Sequence, residues 1–546
     1  MSSDAKPRRA VAGRVGSVLV ATLIFVAAAH AWRVTSALEW PNDPDLFRDV
    51  ATAQTMLNGD LFGDPFYADE TLWYNPLVPT VVAATSWGTG IGVPRLYARA
   101  GVVFNLLAPI AFAGLVWLVA GPWAALTATA IFLFLPSPER PTWAWASYSP
   151  WLFPAIVAQA LFYASLAALH RAYRLERWMG FVVVGCLLGT TFLAHTAPAL
   201  LIGSIMALDV AVSLGSSTPG SRFRASGTLL SLACATVVSL PLTLSIVGRY
   251  HLRVLNTAPA SWESGEMLLA NLPTLASGIL SISGILALIG FWVTVREPTT
   301  REVRRVLVGW SIANAGWLVW IYVCQLAQRR GWSIGTVVPG YHFLFYWRAL
   351  GAVLGGIGAF SLARQAARFA ERLVARLHDD ARVEGLAAVF SILALVGAMP
   401  FLYSRFVSRY DFTAASPGPA RRNGAHPDSQ AYEWIRKESP IDSVFLSSDH
   451  VSLYVVGPTG RKVVAVDSSF SNPYVDVKPR IRARKAMWEA LRVGDTWAFC
   501  RATQPFRVTH VISGDQDPDE WAARIPPFLE REFTAGSMTI WRVIGC

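Results

Sequence analysis

The chain has 546 residues, of which 53% are hydrophobic and only 15% charged, against roughly 25% charged in soluble domains. That deficit excludes an ordinary soluble enzyme and places the chain in the membrane class. The net charge of +11 does not argue for nucleic acid, because the cations sit in short loops between apolar runs, where they set membrane orientation.

In chain order, Lys6, Arg8, Arg9 and Arg14 precede an apolar run over 15–32. Ala27-Ala28-Ala29 has the small side chains of a cleavage site. The run continues past it and is long enough to span, so it reads as a first transmembrane helix with a cytoplasmic N-terminus. Residues 33–99 follow as an acidic first outer loop, in which Glu39, Asp43, Asp45, Asp49, Asp60, Asp64, Asp69 and Glu70 outnumber Arg33, Arg48, Arg95 and Arg99. Its apolar stretch 75–92 holds Pro76, Pro79 and several glycines, and reads as a juxtamembrane or re-entrant segment.

Further spans are expected near 100–119, 121–135, 150–170, 179–194, 197–213, 226–247, 273–295, 305–325, 343–363 and 384–404, about eleven in all. Four basic loops lie between them: Arg171, Arg174 and Arg177; Arg222 and Arg224; Arg296, Arg301, Arg304 and Arg305; Arg364, Arg368, Arg372 and Arg376. With this count all four face the cytoplasm, whereas counting 76–92 as a full span would put them outside.

The expected organisation is a polytopic α-helical transmembrane domain over 1–404, a linker over 405–425 and an extracytoplasmic α/β domain over 426–546. Ser416-Pro417-Gly418-Pro419 and Asn423-Gly424 are breakers that suit a linker. In the last domain, 429–437 suits a helix start, and the apolar runs 443–446, 462–466 and 508–512 suit short buried strands. Cys186, Cys234 and Cys324 fall in apolar spans and read as packing residues. Cys500 and Cys546 are the only two in the terminal domain, where an oxidising compartment would permit a disulfide.

Chemistry concentrates where carboxylates meet the membrane surface. In Glu39-Trp40-Pro41-Asn42-Asp43-Pro44-Asp45-Leu46-Phe47-Arg48-Asp49, directly after the first helix, a carboxylate can serve as a general base or hold a metal. The plainer alternative is a solvated loop in which Asp43 caps a helix beginning at Pro44. Trp73-Tyr74-Asn75-Pro76 suits either a shaped groove or an interfacial aromatic belt. Glu139 and Arg140, His195, Glu263, and Tyr341, His342 and Arg348 are expected on the same outer face. Arg348 is singled out because an ionisable side chain inside a span is costly. Its guanidinium suits a lipid phosphate, with snorkelling or an internal ion pair as the alternative. His195 suits a helix cap equally well. There is no P-loop, dinucleotide fingerprint, His-Glu-x-x-His or Cys-x-x-Cys, which argues against an ATP-driven pump.

This plan resembles the GT-C superfamily of membrane glycosyltransferases, which includes the protein O-mannosyltransferases, the lipid A aminoarabinose transferase and the mycobacterial arabinofuranosyltransferases. Asp43-Pro44-Asp45 occupies the place of their acidic motif, and Trp73-Tyr74-Asn75-Pro76-Leu77 looks like their juxtamembrane segment. The stretch 431–446 looks like the helix-to-strand opening after their last span. The resemblance implies a hexosyl- or pentosyltransferase that takes a polyprenyl-phosphate sugar and delivers it, usually with inversion, to a glycan, lipid or protein of the cell envelope. It implies Asp43, or else Asp45, as the base. It implies Arg348 or Arg140 at the leaving phosphate, with His342, His195, Glu139, Tyr74 and Glu263 as further substrate-binding candidates. Some members need a divalent metal, so Mg or Mn held by Asp43 and Asp45 is an open expectation. The competing reading is a transporter or flippase of a lipid-linked or polar solute, although no internal repeat is evident.

Overall fold

The computed structural model describes residues 5–135, 148–215, 220–261, 272–296, 301–332, 338–374, 380–415, 424–514 and 525–546. Among the described residues, eight helices are long and apolar enough to cross a membrane: Gly13–Thr35, Gly101–Ala120, Pro154–Leu175, Thr196–Leu214, Ser221–Arg249, Arg301–Arg329, Tyr341–Leu373 and Arg382–Ser404. Three shorter apolar helices, Pro122–Phe134, Trp178–Ala194 and Ile282–Arg296, fall on the remaining expected spans. The chain is therefore a polytopic α-helical protein, and it carries a small sheet near its C-terminus.

Contacts divide the chain into two compact units. The first comprises Met1–Ser36, Gly101–Ser239 and Glu263–Ser416, and it holds the apolar helices. Two of them approach backbone to backbone: a Cβ on Gly290 would meet the Leu354 carbonyl, and one on Gly358 the Leu286 carbonyl. Where lipid is as apolar as leucine, such close approach through small residues is what holds helices together. Rings fill the wider gaps, with Phe112 stacked on Phe132 at 4.1 Å and Phe162 between Trp310 and Tyr346. The span expected at 100–119 is interrupted beside Asn105, whose buried amide donates to the carbonyls of Ser149 and Trp151. Pro241 lacks an N–H, and the helix containing it passes into a π-turn over Leu244–Arg249. Of the three cysteines expected in the packing, Cys324 is buried and Cys234 half-buried, whereas Cys186 is exposed on its helix.

The second unit comprises Ala37–Ala100, Leu240–Trp262 and Pro417–Cys546. Residues 37–100 thus group with the C-terminal domain, not with the helices they follow in sequence. The last long helix runs over Asp380–Ala415, so 405–415, expected as linker, continues the helix. Strands β1 (Val444–Leu446), β2 (Lys462–Val463), β3 (His510–Ser513), β4 (Leu529–Ala535) and β5 (Met538–Val543) make one sheet in the order β2-β1-β3-β5-β4. β1 pairs parallel with β2 and β3, while β5 is antiparallel to β3 and β4. The strand expected over 462–466 stops at Val463, although Val464 still donates its N–H to Phe445.

Helices Pro427–Glu438 and Val477–Val493 complete the layer. Cys500 and Cys546 are joined by a disulfide, with Cα atoms 5.1 Å apart. A buried polar web ties the three chain segments together. Asp64, with no exposed surface, accepts from the N–H groups of Phe66 and Tyr67 and from the Asn472 amide. The same amide donates to the Tyr250 hydroxyl, which in turn donates to the Thr71 carbonyl.

Candidate active site

The acidic motif lies in the second unit, at the start of the Pro44–Leu57 helix. Asp43 is its N-cap: the backbone is extended at φ −115°, as the following proline requires, and Oδ1 accepts from the Asp45 N–H at 2.9 Å. Unlike a solvated surface helix, this one is buried from Leu46 through Met56. Its single cation, Arg48, is 7% exposed. The guanidinium donates through Nη1 to Asp45 at 2.9 Å, and through Nε and Nη2 to one oxygen of Asp49 at 3.2 and 3.1 Å. It also lies 3.9 Å above the Tyr74 ring, a cation–π arrangement that strengthens as water is excluded.

Electrostatics distinguish Asp43 from Asp49. Enclosure by protein, then the neighbouring Asp45 charge, pushes Asp43 up to about 8. Burial pushes Asp49 up to about 6, with Arg48 opposing the rise. Arg48 is held firmly protonated by Tyr74 and the two carboxylates. Burial also raises Tyr74 and Tyr97 above the usual phenol range. Two buried atoms of this cluster, Asp49 Oδ2 and the Tyr97 hydroxyl, have no hydrogen-bond partner among the described residues. These Arg48 hydrogen bonds go to Asp45 and Asp49, and the Asp43 cap accepts from the Asp45 N–H. A half-buried carboxyl that changes charge near neutral pH is suited to taking a proton.

A divalent cation does not fit this set well. Asp43 spends one oxygen on its cap, Asp45 spends one on Arg48, and the guanidinium already supplies the counter-charge a metal would bring. Among the described residues no three of His, Cys, Asp and Glu converge on one point, whereas Mg or Mn prefers about six oxygen ligands.

The first unit assembles a different group. His195 ends one helix and caps the next, its Nδ1 accepting from the Ala197 N–H at 3.3 Å. Its ring lies 4.3 Å from that of His342, which is 4.3 Å from Tyr341. Arg348 is half-buried on the same helix as Tyr341, and a separation of seven residues puts the two on one face. The structure thus brings together His195 and His342, which are 147 positions apart in sequence. Glu139, Arg140 and Glu263 lie outside the described residues.

Arg48, Asp49 and Tyr97 belong to the acidic cluster but were not among the candidates the sequence suggested. The i,i+3 spacing of Asp45 and Arg48 was a usable signal for an ion pair. Nothing local marked the pair as buried or placed Tyr74 against it.

No family model matches the sequence, and no curated protein matches it in sequence. Solved structures are similar in fold. ArnT from Cupriavidus metallidurans, bound to undecaprenyl phosphate, superimposes with a TM-score of 0.57 at 14% identity, over 96% of this chain and 97% of that one. The apo oligosaccharyltransferase of Archaeoglobus fulgidus gives 0.55 at 11% identity, over 91% and 69%. The arabinofuranosyltransferase AftD from Mycobacteria gives 0.54 at 11% identity, over 96% of this chain and 40% of its own. At such identities the likeness concerns architecture, and it extends over nearly the whole chain: this protein has the fold of the GT-C membrane glycosyltransferases.

Proposed function

We propose that the protein is a glycosyltransferase that moves a sugar from a polyprenyl-phosphate donor to a cell-envelope acceptor, with Asp43 as the general base. The observation that carries this reading is the Asp43 carboxyl, which follows the first span closely in sequence, caps the buried Pro44–Leu57 helix and is raised to about 8. In this mechanism Asp43 takes the proton of the acceptor hydroxyl as that oxygen attacks the anomeric carbon, and the lipid phosphate leaves with the bonding electron pair. Arg48 engages Asp45 and Asp49, and Asp43 is the carboxyl of the three that its guanidinium leaves aside. Arg348, on the helix that also carries His342, receives the phosphate.

Two observations support the donor class. The ArnT structure of the same fold holds undecaprenyl phosphate, and the archaeal oligosaccharyltransferase has been solved with dolichol phosphate. Arg48 compensates Asp45 and Asp49 within the cluster, and we assign no metal to the step. The four basic loops support a cytoplasmic N-terminus and an outer position for the second unit. The test is incubation of purified protein with polyprenyl-phosphate sugars. Release of polyprenyl phosphate, lost in Asp43→Asn, supports the reading. Movement of a solute into liposomes without donor consumption overturns it in favour of a transporter.

A further inference from the structure

Three helices of the first unit leave a groove of about 600 Å3 between them. The Pro154–Leu175 helix packs against both others and forms the floor, with Leu107–Ala120 on one side and Trp178–Ala194 on the other. Ala164, Ala167, Ala168, Arg171, Ala172 and Leu175 line the floor, a spacing of three and four that makes one helix face. Their methyl groups leave space that larger side chains would fill. Gly114 widens one side, where an added Cβ would meet nothing within 4 Å. The lining is apolar except at one end, where Arg171 and Arg177 are exposed. Glu176, the acid between them in sequence, is instead paired with Arg224 at 3.3 Å. Among the described residues neither Arg171 nor Arg177 has an ion-pair partner.

We infer that this groove binds an anionic glycerophospholipid of the surrounding bilayer, with an acyl chain along the alanine floor and the phosphate at Arg171 and Arg177. The floor from Ala164 to Leu175 rises about 16 Å, roughly half of a hydrocarbon core of about 30 Å. The groove is therefore one leaflet deep, with its cations at the surface end. A zwitterionic headgroup brings its own ammonium to those cations. A headgroup with net negative charge brings none, so two arginines without a carboxylate favour it. On the orientation proposed above, the lipid belongs to the cytoplasmic leaflet. A chain lying in the groove touches all three helices, so occupancy should raise the melting temperature.

Two other occupants suit the groove less well. The first is the donor lipid. Arg177 caps the start of the Trp178–Ala194 helix and His195 caps its end. These 17 residues separate the groove's cations from the His195–His342 pair by about 26 Å. The groove thus lies a helix length from the group proposed to receive the donor phosphate, and the inference does not depend on that assignment. The second is another copy of this chain. A twofold contact uses the same patch on both partners, and here it would set Arg171 and Arg177 against their own counterparts with no acid to separate them.

The experiment titrates full-length protein in detergent with phosphatidylglycerol and, separately, with phosphatidylcholine of the same chains. Native mass spectrometry and the melting temperature supply the readout. Phosphatidylglycerol should bind more tightly, by about fivefold for each cation and so about thirtyfold in all. Arg171→Gln/Arg177→Gln should abolish that preference. Both positions are exposed and the Arg177 side chain makes no cap hydrogen bond, so the variant leaves the core intact. Gly114→Leu should weaken both lipids by roughly tenfold or more. The new side chain enters open space and raises helix propensity, so this variant should fold. Equal affinity of the wild type for the two lipids, a preference that survives in the arginine variant, or binding unchanged in Gly114→Leu would each overturn the inference. So would displacement of phosphatidylglycerol by equimolar undecaprenyl phosphate, which would make the groove a donor-lipid site, or a dimer that Gly114→Leu separates, which would make it an interface between copies.

Discussion

Replacing Arg48 by methionine removes the cation of the acidic cluster while keeping much of its volume. At 3.1 Å from Asp49, two unit charges in an effective dielectric of about 20 attract by roughly 5 kcal/mol. Desolvation offsets part of that in the intact pair, but Asp49 has no exposed surface and would be left as a lone buried carboxylate. Removing one partner from such a pair costs about 3–5 kcal/mol. The Asp45 contact adds little, since that side chain is 28% exposed and water can replace the partner. Arg48→Met should therefore open the Pro44–Leu57 helix locally, and amide hydrogen exchange in that helix should accelerate by a hundredfold or more, at about 1.4 kcal/mol per decade. The double variant Arg48→Met/Asp49→Asn leaves no lone buried charge and should recover most of the protection. A single variant that exchanges like the wild type, or a double variant no better than the single, would refute the view that Arg48 holds this cluster together.

Asp43→Asn should lower transfer by about 10²–10⁴-fold with donor binding retained; if Asp45→Asn has that effect instead, Asp45 is the base. With Asp43 near 8, the carboxylate form accumulates as pH rises, so kcat/KM should climb about tenfold per pH unit below 8 and level off above it. Loss of the Arg48 charge, which lowers this pKa, should move the limb to higher pH. Burial lowers His510 from 6.5 to about 4, so its contribution to stability is present above 6.5 and is lost as pH falls towards 4, by at most about 3 kcal/mol; a melting profile of His510→Gln should be flatter across that window. Reduction of the Cys500–Cys546 bond, which closes a loop of 46 residues, should destabilise the second unit by about 4 kcal/mol in the chain-entropy picture, and an unchanged denaturation midpoint under reductant would contradict that. Arg348→Lys keeps the charge but loses the planar fork, so retention of full affinity for polyprenyl phosphate would remove Arg348 from the donor site.

What the sequence determined by itself is what depends on neighbouring residues. Hydropathy is such a property, and it located the apolar helices from the first span to the last, because a helix satisfies its own backbone groups and needs only a long enough apolar run in lipid. The cap at Asp43 was equally local, since a carboxylate before Pro44 can scarcely do otherwise. Tertiary structure alone decided the environment of those residues. Asp45-x-x-Arg48-Asp49 is readable as an ion pair, but its burial depends on Tyr74 and Tyr97, brought in by separate chain segments. His195 and His342 meet because two distant helices pack. Residues 37–100 cluster with a domain more than 300 residues later, and the Asn472 amide joins them by donating to both Asp64 and Tyr250, since a buried polar group needs a partner. Such matches are set by the summed packing of the whole chain, so no window of sequence contains them.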